Sequence, residues 1–242
     1  MSNEEKLFNV LETILDKLVI LVCMLFLLIG CYTIYDSVTI YYNAQDKSLL
    51  RYKPTLEDPD AIKEISSEAV AWITIDNTSI DYPIMQAADN SKYLNIDPYG
   101  EFSLSGSIFL DCRNMSDFTD DYSLLYGHHM ANKAMFGALD DFNERNYFMD
   151  HRSGTLTVGE MNYDLNLFAY VAIDANDETI FDPSKHELTV QYVKDHASLY
   201  FDANQNEKII GLSTCKSDET TGRIIVFGTL QPERGTMSYE KN

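Results

Sequence analysis

The sequence predicts a mainly β fold: a closed or nearly closed β-barrel with helices packed outside it, preceded by one transmembrane helix. Three observations lead to this prediction. The chain is rich in residues that favour strands, among them 16 Tyr and 12 Phe. Its strand candidates are mostly short and do not alternate regularly with helices, as they would in a doubly wound sheet. An uncharged apolar run lies near the N-terminus.

Length and composition favour one catalytic domain and exclude some partners. When an N-terminal tether is subtracted from the 242 residues, roughly 170–200 residues remain, which is the size of a single domain with its own core. The net charge of −20 repels phosphate backbones, and no basic stripe with interleaved aromatic residues is present. We therefore expect no nucleic acid partner.

The N-terminal run is the candidate membrane anchor. Residues 18–35 carry no charge, and as a helix they just span a bilayer core of ~30 Å. A cleaved signal peptide is the alternative, but the run is long for one and no small-residue cleavage site follows it closely. Basic residues flank the run on both sides, so they do not fix the orientation. We expect a short cytoplasmic segment at 1–17, a signal anchor at 18–35, and a single-pass protein of the cell membrane whose catalytic domain is extracytoplasmic.

After the anchor, residues 36–60 read as a juxtamembrane helix and a linker that ends in two Xaa-Pro pairs, so the folded domain covers 61–242. A hairpin is expected around Asp76-Asn77-Thr78, and Pro83 suggests that its second strand lies at an edge or a bulge. The predicted strands are residues 71–75, 80–85, 106–111, 123–126, 155–158, 164–173, 208–212 and 223–230, and the predicted helices are residues 61–70, 134–143 and 190–200.

The chain has four cysteines, of which two can serve the soluble domain. Cys23 and Cys31 lie in the apolar run and resemble small hydrophobic residues. In an oxidising compartment Cys112 and Cys215 could form a disulfide, and no Cys-x-x-Cys pair suggests a structural zinc site.

Cys215 stands where an apolar strand meets a polar loop, which favours a thiol presented at a rim. Eight residues later Arg223 opens the returning strand. If the two strands are neighbours, the guanidinium returns beside the sulfur, where a cation favours a thiolate or an oxyanion. A surface salt bridge is the simpler explanation of Arg223.

The second candidate is a strand that stops at Gly127 and continues into His128 and His129. A thiol of pKa ~8.5 is mostly protonated at neutral pH, so a cysteine nucleophile needs an imidazole that takes its proton and later protonates the leaving amine. Taken alone, two adjacent histidines are more often a loop contact or an incidental metal ligand. Their place at a strand end, together with Cys215 and Arg223, favours a catalytic role.

These motifs, in this order and spacing, resemble the sortase family, most of all its class B branch. The family has a strand ending in Gly-His, a later strand ending in Thr-Cys, and an Arg that opens the next strand. Gly127-His128, Thr214-Cys215 and Arg223 meet this pattern. Further matching segments are residues 71–73, 80–83, 89–94, 106–111 and 135–139.

The resemblance implies an eight-stranded sortase-like β-barrel and an acyl-transfer mechanism without a cofactor or catalytic metal. The Cys215 thiolate would attack the Thr carbonyl of a C-terminal sorting motif in a surface protein. The resulting thioester would be resolved by an amine from cell-wall peptide or from a pilin lysine. His128 would be the acid/base, whereas His129 does not match the family histidine, and Arg223 would hold the carbonyl or its oxyanion.

By position, four residues match those that line the class B substrate groove: Asn90, Leu94, Tyr126 and Ser213. Their structural alternatives are a turn, the core, strand packing and a hydroxyl cap, respectively. Two features depart from the resemblance. Lys216 stands where class B often has an acidic residue, and Cys112 is either an incidental small residue or the partner of Cys215 in a regulatory disulfide.

Other functions remain open from the sequence. A papain-like protease uses the same residue pair, but its cysteine precedes the histidine and starts a helix. An anchored, non-catalytic binding or assembly module would have Cys112 and Cys215 bridged. Within the sortase interpretation, anchoring to the wall and polymerising pilins both use the same acyl-enzyme.

We predict that the full chain partitions into membranes and that the fragment starting near residue 36 is soluble and folded, because the uncharged run is the segment long enough to span a bilayer. Ultracentrifugation of both forms with and without detergent measures this. A full chain that stays in the aqueous fraction without detergent contradicts the anchor.

Overall fold

The computed structural model describes residues 3–44, 47–130, 132–215 and 222–233, with Cys215 described by its backbone. The chain divides into two compact units, residues 1–42 and residues 43–242. The first is formed by helix α1 (Asn3–Ala44), whose 42 residues correspond to about 63 Å at 1.5 Å per residue. Its segment Lys6–Ile40 is long and apolar enough to cross a membrane, by length and composition.

The second unit is built on β-strands, nine of which lie in the described residues. They are β1 (Ala69–Ile75), β2 (Asp81–Met85), β3 (Ile108–Leu110), β4 (Tyr122–Tyr126), β5 (Ser153–Val158), β6 (Met161–Asp174), β7 (Leu199–Tyr200), β8 (Lys208–Cys215) and β9 (Gly222–Pro232). A strand lies at each of the eight predicted positions, and β7 was not predicted.

Eight of these strands close into a barrel in the order β5-β1-β2-β3-β4-β8-β9-β6, because β6 pairs back onto β5. The β2–β3 and β4–β8 pairs are parallel, and the other neighbours are antiparallel. The two-residue strand β7 extends the sheet from β6. The predicted closed, eight-stranded barrel with peripheral helices is confirmed.

Alternate residues of each strand fill the barrel or cover its outside, as the two-residue period of a strand requires. On β8, Ile210 and Leu212 belong to the interior cluster, whereas Ile209 belongs to a second cluster outside. The interior cluster draws on all eight barrel strands. Because both faces of β8 are covered, its register with β4 and β9 is strongly specified.

Helix α4 (Val190–His196) packs on the outer face through Val190 and Val193. The Thr189 hydroxyl caps its first turn by accepting from the Tyr192 amide at 3.1 Å. The helix was expected to run to residue 200, but it ends at His196. The chain then turns extended at Ala197 and enters β7, whose pairing with β6 replaces the helical hydrogen bonds.

The other predicted helices are shorter than expected. Within 61–70 only Ala61–Glu64 forms a 3-10 turn, and Ala69 already belongs to β1. Within 134–143 a 3-10 helix covers Gly137–Asn143. Two short helices, α2 (Arg145–Asp150) and α3 (Glu178–Phe181), were not predicted, because four to six residues carry too little of the helical period to be read.

Pro83 does not lie on an edge strand, since β2 pairs with both β1 and β3. The ladder with β3 begins only at Ile84, one residue beyond the proline. A register shift between Ala69 and Ala71 of β1 lies opposite Met85 and Ile84, so the bulge alternative is the closer of the two expectations.

We predict that Phe148→Ala lowers the free energy of unfolding by about 3–5 kcal/mol, because Phe148 is fully buried between aromatic rings. Its ring centroid lies 5.4 Å from that of Phe142 and 4.9 Å from that of Phe201. Urea unfolding in detergent micelles measures the loss. Met149→Ala on the same helix is the control: Met149 is 50% exposed, so a change within about 0.5 kcal/mol is expected. Equal losses in the two variants contradict the prediction.

Candidate active site

One end of the barrel gathers the candidate residues because of how three strands pair. Strand β4 is parallel to β8, and β9 is antiparallel to β8, so the C-terminal ends of β4 and β8 meet the N-terminal end of β9. Tyr126 pairs with Ser213, and Cys215 pairs with Arg223. The Gly127 amide continues the ladder by donating to the Ser213 carbonyl at 3.1 Å. The sequence-distant Gly-His and Thr-Cys motifs are thereby adjacent.

A pocket of about 290 Å³ opens at this end of the barrel. Six of the seven predicted site residues line it. The seventh, Cys215, is the last residue of β8, and its backbone pairs with Arg223, which lines the pocket. The lining consists of Asn90, Leu94, Phe109, Tyr126, Gly127, His128, Ser213, Thr214 and Arg223.

The His128 ring is held by the main chain of another segment. Its Nε2 lies 2.6 Å from the Leu94 carbonyl oxygen. Because a carbonyl only accepts, Nε2 carries a proton and Nδ1 is the nitrogen left to accept one. Gly127 permits this strand end, since a Cβ there would come within 2.7 Å of the Phe136 ring. The Phe136 amide in turn donates to the His128 carbonyl at 3.1 Å.

His129 has a different environment from its neighbour. Its Nε2 lies 2.6 Å from a carboxylate oxygen of Asp140, and its backbone pairs with Met135 in an isolated bridge. The side chain is therefore engaged by Asp140 and does not line the pocket. The rings of the two adjacent histidines thus have different partners, and of the two only His128 lines the pocket.

Arg223 is half-buried and lines the pocket at the start of β9. Its Nη1 donates to the Gly222 carbonyl at 3.1 Å, and it forms no ion pair with any carboxylate in the described part of the chain. The salt-bridge explanation of Arg223 thus finds no partner among those residues. A guanidinium with unused donors is suited to bind a carbonyl or an oxyanion.

The sequence did not single out Asp111 and Arg113, which hold two of the predicted groove residues. Asp111 is fully buried directly after β3. It accepts from Arg113 Nε at 2.8 Å and Nη2 at 2.7 Å, from Asn90 Nδ2 at 2.9 Å and from the Tyr126 hydroxyl at 3.0 Å. These four residues form what we call the Asp111 network.

Charge in this network is balanced by Arg113. Burial acts to raise the pKa of Asp111, but the hydrogen bonds and positive charge of Arg113 outweigh it, and the pKa lies below its ordinary value. Burial, followed by the charge of Asp111, raises the pKa of Tyr126, so its phenol stays protonated and donates. Arg113 also donates to the Phe181 carbonyl at 2.6 Å and pairs with Asp182 at 3.0 Å, which ties the end of α3 to the groove.

The network fixes the orientation of the Asn90 amide. Its nitrogen donates to Asp111, and its oxygen accepts from the Cys112 backbone amide at 2.8 Å. Cys112 carries a free thiol and contributes to the site through its main chain. The sequence signal for this arrangement is a carboxylate at a strand end with an arginine two residues later.

Two hydroxyls of the pocket have no hydrogen-bond partner in the part of the chain that the structure describes. The side-chain oxygens of Ser213 and Thr214 are buried and make no hydrogen bond within the described residues. Buried hydroxyls are normally paired, so these two are suited to bind polar groups of a ligand. No group of three or more His, Cys, Asp or Glu side chains that could hold a metal ion occurs among the described residues.

Comparison with known proteins points to one family. A family model of the sortase domain matches residues 73–231. Sortase B of Listeria monocytogenes is 29% identical over 206 residues, covering 81% of this chain and 79% of that protein. Sortase B of Staphylococcus aureus is 30% identical over 179 residues, covering 71% of this chain and 73% of that protein.

Solved structures agree with these relatives. A Streptococcus pyogenes class B sortase involved in pilus biogenesis is 37% identical with a TM-score of 0.65, covering 71% of this chain and 97% of that one. A substrate complex of Staphylococcus aureus sortase B is 26% identical with a TM-score of 0.66, covering 78% of this chain and 92% of that one.

We predict that Asp111→Asn lowers the stability of the protein by about 1–3 kcal/mol at pH 7, because the donors around position 111 lose their charged acceptor. The folded pKa of Asp111 is below its unfolded value of ~3.9, so its contribution is present above that pH and is lost as pH falls through the folded pKa. The difference in the free energy of unfolding between wild type and Asp111→Asn, measured with urea, should therefore become smaller below about pH 4.

The control for this measurement is Asp150→Asn, which changes an exposed carboxylate at the end of α2. It should leave stability within about 0.5 kcal/mol at every pH. If Asp111→Asn lowers the free energy of unfolding as much at pH 3 as at pH 7, the stabilising role assigned to the Asp111 carboxylate is wrong.

Proposed function

The chain belongs to the sortase family and is most similar to its class B branch, and on that premise we propose a membrane-anchored enzyme that cleaves a sorting motif in surface proteins through a thioester on Cys215 and transfers the acyl group to an amine. Family membership makes the chain a cysteine transpeptidase. It thereby excludes the papain-like protease and the non-catalytic module that the sequence left open.

One observation carries the assignment of the site residues. The strand register sets Cys215 opposite Arg223, while the β4–β8 ladder brings Gly127-His128 to the same end. This backbone register supports the proposal that a nucleophile, an acid/base and a cation from three strand ends act together in acyl transfer.

In the first step His128 Nδ1 takes the proton of the Cys215 thiol. The thiolate then attacks the carbonyl carbon of the sorting motif and forms a C–S bond, while the carbonyl oxygen gains the negative charge. Arg223, which has no described carboxylate partner, donates hydrogen bonds to that oxyanion. The oxyanion then collapses, the C–N bond breaks, and His128 protonates the departing amine. The product is a thioester on Cys215.

In the second step the acceptor amine attacks the thioester. His128 removes a proton from the amine, a new C–N bond forms, and the C–S bond breaks to return the thiolate. His128 is suited to both steps because its Nε2 proton is bound to the Leu94 carbonyl, which leaves Nδ1 to exchange a proton.

The sorting peptide would lie in the pocket beside the strand ends. Leu94 offers an apolar contact that is 40% exposed, and Asn90 and Tyr126 offer polar groups held by the Asp111 network. The Ser213 hydroxyl, which has no partner among the described residues, is suited to bind a peptide group. The residue that departs from class B, Lys216, lies outside the described residues, so the sorting motif is left to experiment.

The proposed localisation is the cell membrane, with one span and an extracytoplasmic catalytic domain. Helix α1 supports an anchor, since Lys6–Ile40 has the length and composition of a span. The proposed segments are 1–17 in the cytoplasm, 18–35 in the membrane, 36–60 as a juxtamembrane connection, and 61–242 as the catalytic domain. Surface proteins with a C-terminal sorting motif are the proposed substrates.

We propose cell-wall peptide as the amine acceptor, and a pilin lysine as the second candidate. The pilin alternative is favoured by the 37% identity to a class B sortase involved in pilus biogenesis, against 25–31% for seven other sortase B or sortase B-like structures. Incubating the full chain with a peptide library and both kinds of amine, then sequencing the products, distinguishes the two.

We predict that the three catalytic candidates fail in different ways. Cys215→Ala removes the nucleophile, so thioester and transfer both vanish. His128→Ala keeps the thiol but loses the acid/base, and the rate falls on the order of 10²–10⁴-fold. Arg223→Lys keeps the charge but loses the forked donor geometry, so it stays well below wild type. Mass spectrometry of the thioester, followed by transfer to an added amine, measures each step.

The matched control is His129→Ala, whose side chain is bound by Asp140 rather than facing the pocket, and its loss should be much smaller. An active Cys215→Ala, or a His129→Ala as damaged as His128→Ala, would overturn the assignment.

A further inference from the structure

We propose that Gly106 is a positioning residue for catalysis: it leaves the space in which the Leu94 carbonyl holds the ring of His128. The inference rests on the proposed role of His128 as acid/base. It concerns a residue that does not line the substrate pocket and acts through a backbone carbonyl.

Among the described residues, the Leu94 carbonyl binds the histidine and not a backbone amide. The carbonyls on either side of it accept backbone amides, Tyr93 from Ser107 at 3.0 Å and Asn95 from Ser103 at 2.9 Å. No backbone amide among the described residues donates to the Leu94 carbonyl, which lies 2.6 Å from His128 Nε2. A carbonyl without that partner would lack a hydrogen bond, so the contact satisfies both groups.

Gly106 is the residue that allows the two segments to approach so closely. A Cβ at this position would lie 2.7 Å from the Leu94 carbonyl oxygen and 3.0 Å from its carbon, and closer still to the Tyr93 carbonyl. The atoms that would have to move are main-chain atoms of the 3-10 turn Lys92–Leu94. Gly106 also has φ +57°, a conformation that favours glycine.

The chemical consequence follows from the proton on Nε2. In nucleophile–base pairs the base is commonly oriented by a third group that binds its other nitrogen. Here that group is the Leu94 main-chain carbonyl, which no side-chain substitution removes. Its position depends on the close approach of Gly106. If the carbonyl moves, the ring loses its orientation, and a misplacement of about 1 Å can cost about 10²-fold in rate.

Gly106→Ala is therefore expected to slow thioester formation by about 10–100-fold at saturating substrate. Gly159→Ala is the matched control, because Gly159 has nearly the same φ, +55°, but nothing lies within 4 Å of an added Cβ. It imposes the same backbone strain far from the histidine and should stay within about twofold of wild type. Both variants are compared as the full chain in detergent micelles.

A spectroscopic readout separates positioning from a general loss of structure. The chain has five histidines, so ring-¹⁵N labelling with His128→Ala for assignment identifies the His128 signals. Wild type and Gly159→Ala should show an Nε2 proton shifted downfield and protected from exchange, and Gly106→Ala should lose it. Leu94→Ala should keep it, because that variant trims the pocket but retains the carbonyl.

If Gly106→Ala does not fold, an α-hydroxy analogue of asparagine at position 95 tests the same contact. It turns the Leu94–Asn95 amide into an ester, whose carbonyl is a weaker acceptor, and the Asn95 amide donates no hydrogen bond within the described residues. The expected result is again a slower thioester step and a less protected Nε2 proton.

The proposal is overturned if the wild-type Nε2 proton is unprotected, or if Gly106→Ala, or the ester in its place, retains either the protected proton or the wild-type rate. Under any of these outcomes the strong loss expected for His128→Ala would remain. A fully active His128→Ala would instead overturn the proposed function itself, so the two outcomes are distinguishable.

Discussion

The site depends on the register of β8 with its two neighbours. Because β8 runs parallel to β4 and antiparallel to β9, one set of hydrogen bonds brings Tyr126 to Ser213 and Cys215 to Arg223. A slip of one residue would turn Ile210 and Leu212 out of the barrel interior and bring Gly211 and Ser213 into it, so the interior would lose apolar side chains. The packing of the core therefore fixes which residues of β4, β8 and β9 lie side by side at this end of the barrel.

The connection between β2 and β4 holds the opposite wall of the pocket by two separate means. In the first, Asp111 accepts hydrogen bonds from Asn90 and Tyr126 and is balanced by Arg113. In the second, the Leu94 carbonyl binds His128 in the space that Gly106 leaves. The first orients Asn90 and Tyr126, which we propose as substrate-binding residues, and the second orients the proposed acid/base.

The two arginines near the pocket illustrate how partners decide a role. Arg113 donates two hydrogen bonds to Asp111 and also pairs with Asp182, so its positive charge is balanced by structural carboxylates. Arg223 donates only to the Gly222 carbonyl within the described residues. In a chain of net charge −20, a half-buried guanidinium without a carboxylate partner among the described residues is suited to the oxyanion role proposed for it.

The sequence by itself determined the class of fold, the strand positions and the residue types of the site, because a two-residue hydrophobic period, strand-end glycine and scarce Cys and His are local signals. Only the tertiary structure decided that β7 takes the place of the last residues of the helix predicted at 190–200. It also decided that Asp111 binds both Asn90 and Tyr126, and that His128 binds Leu94, 34 residues away. A backbone carbonyl has no letter in the sequence, and its partner is set by long-range packing.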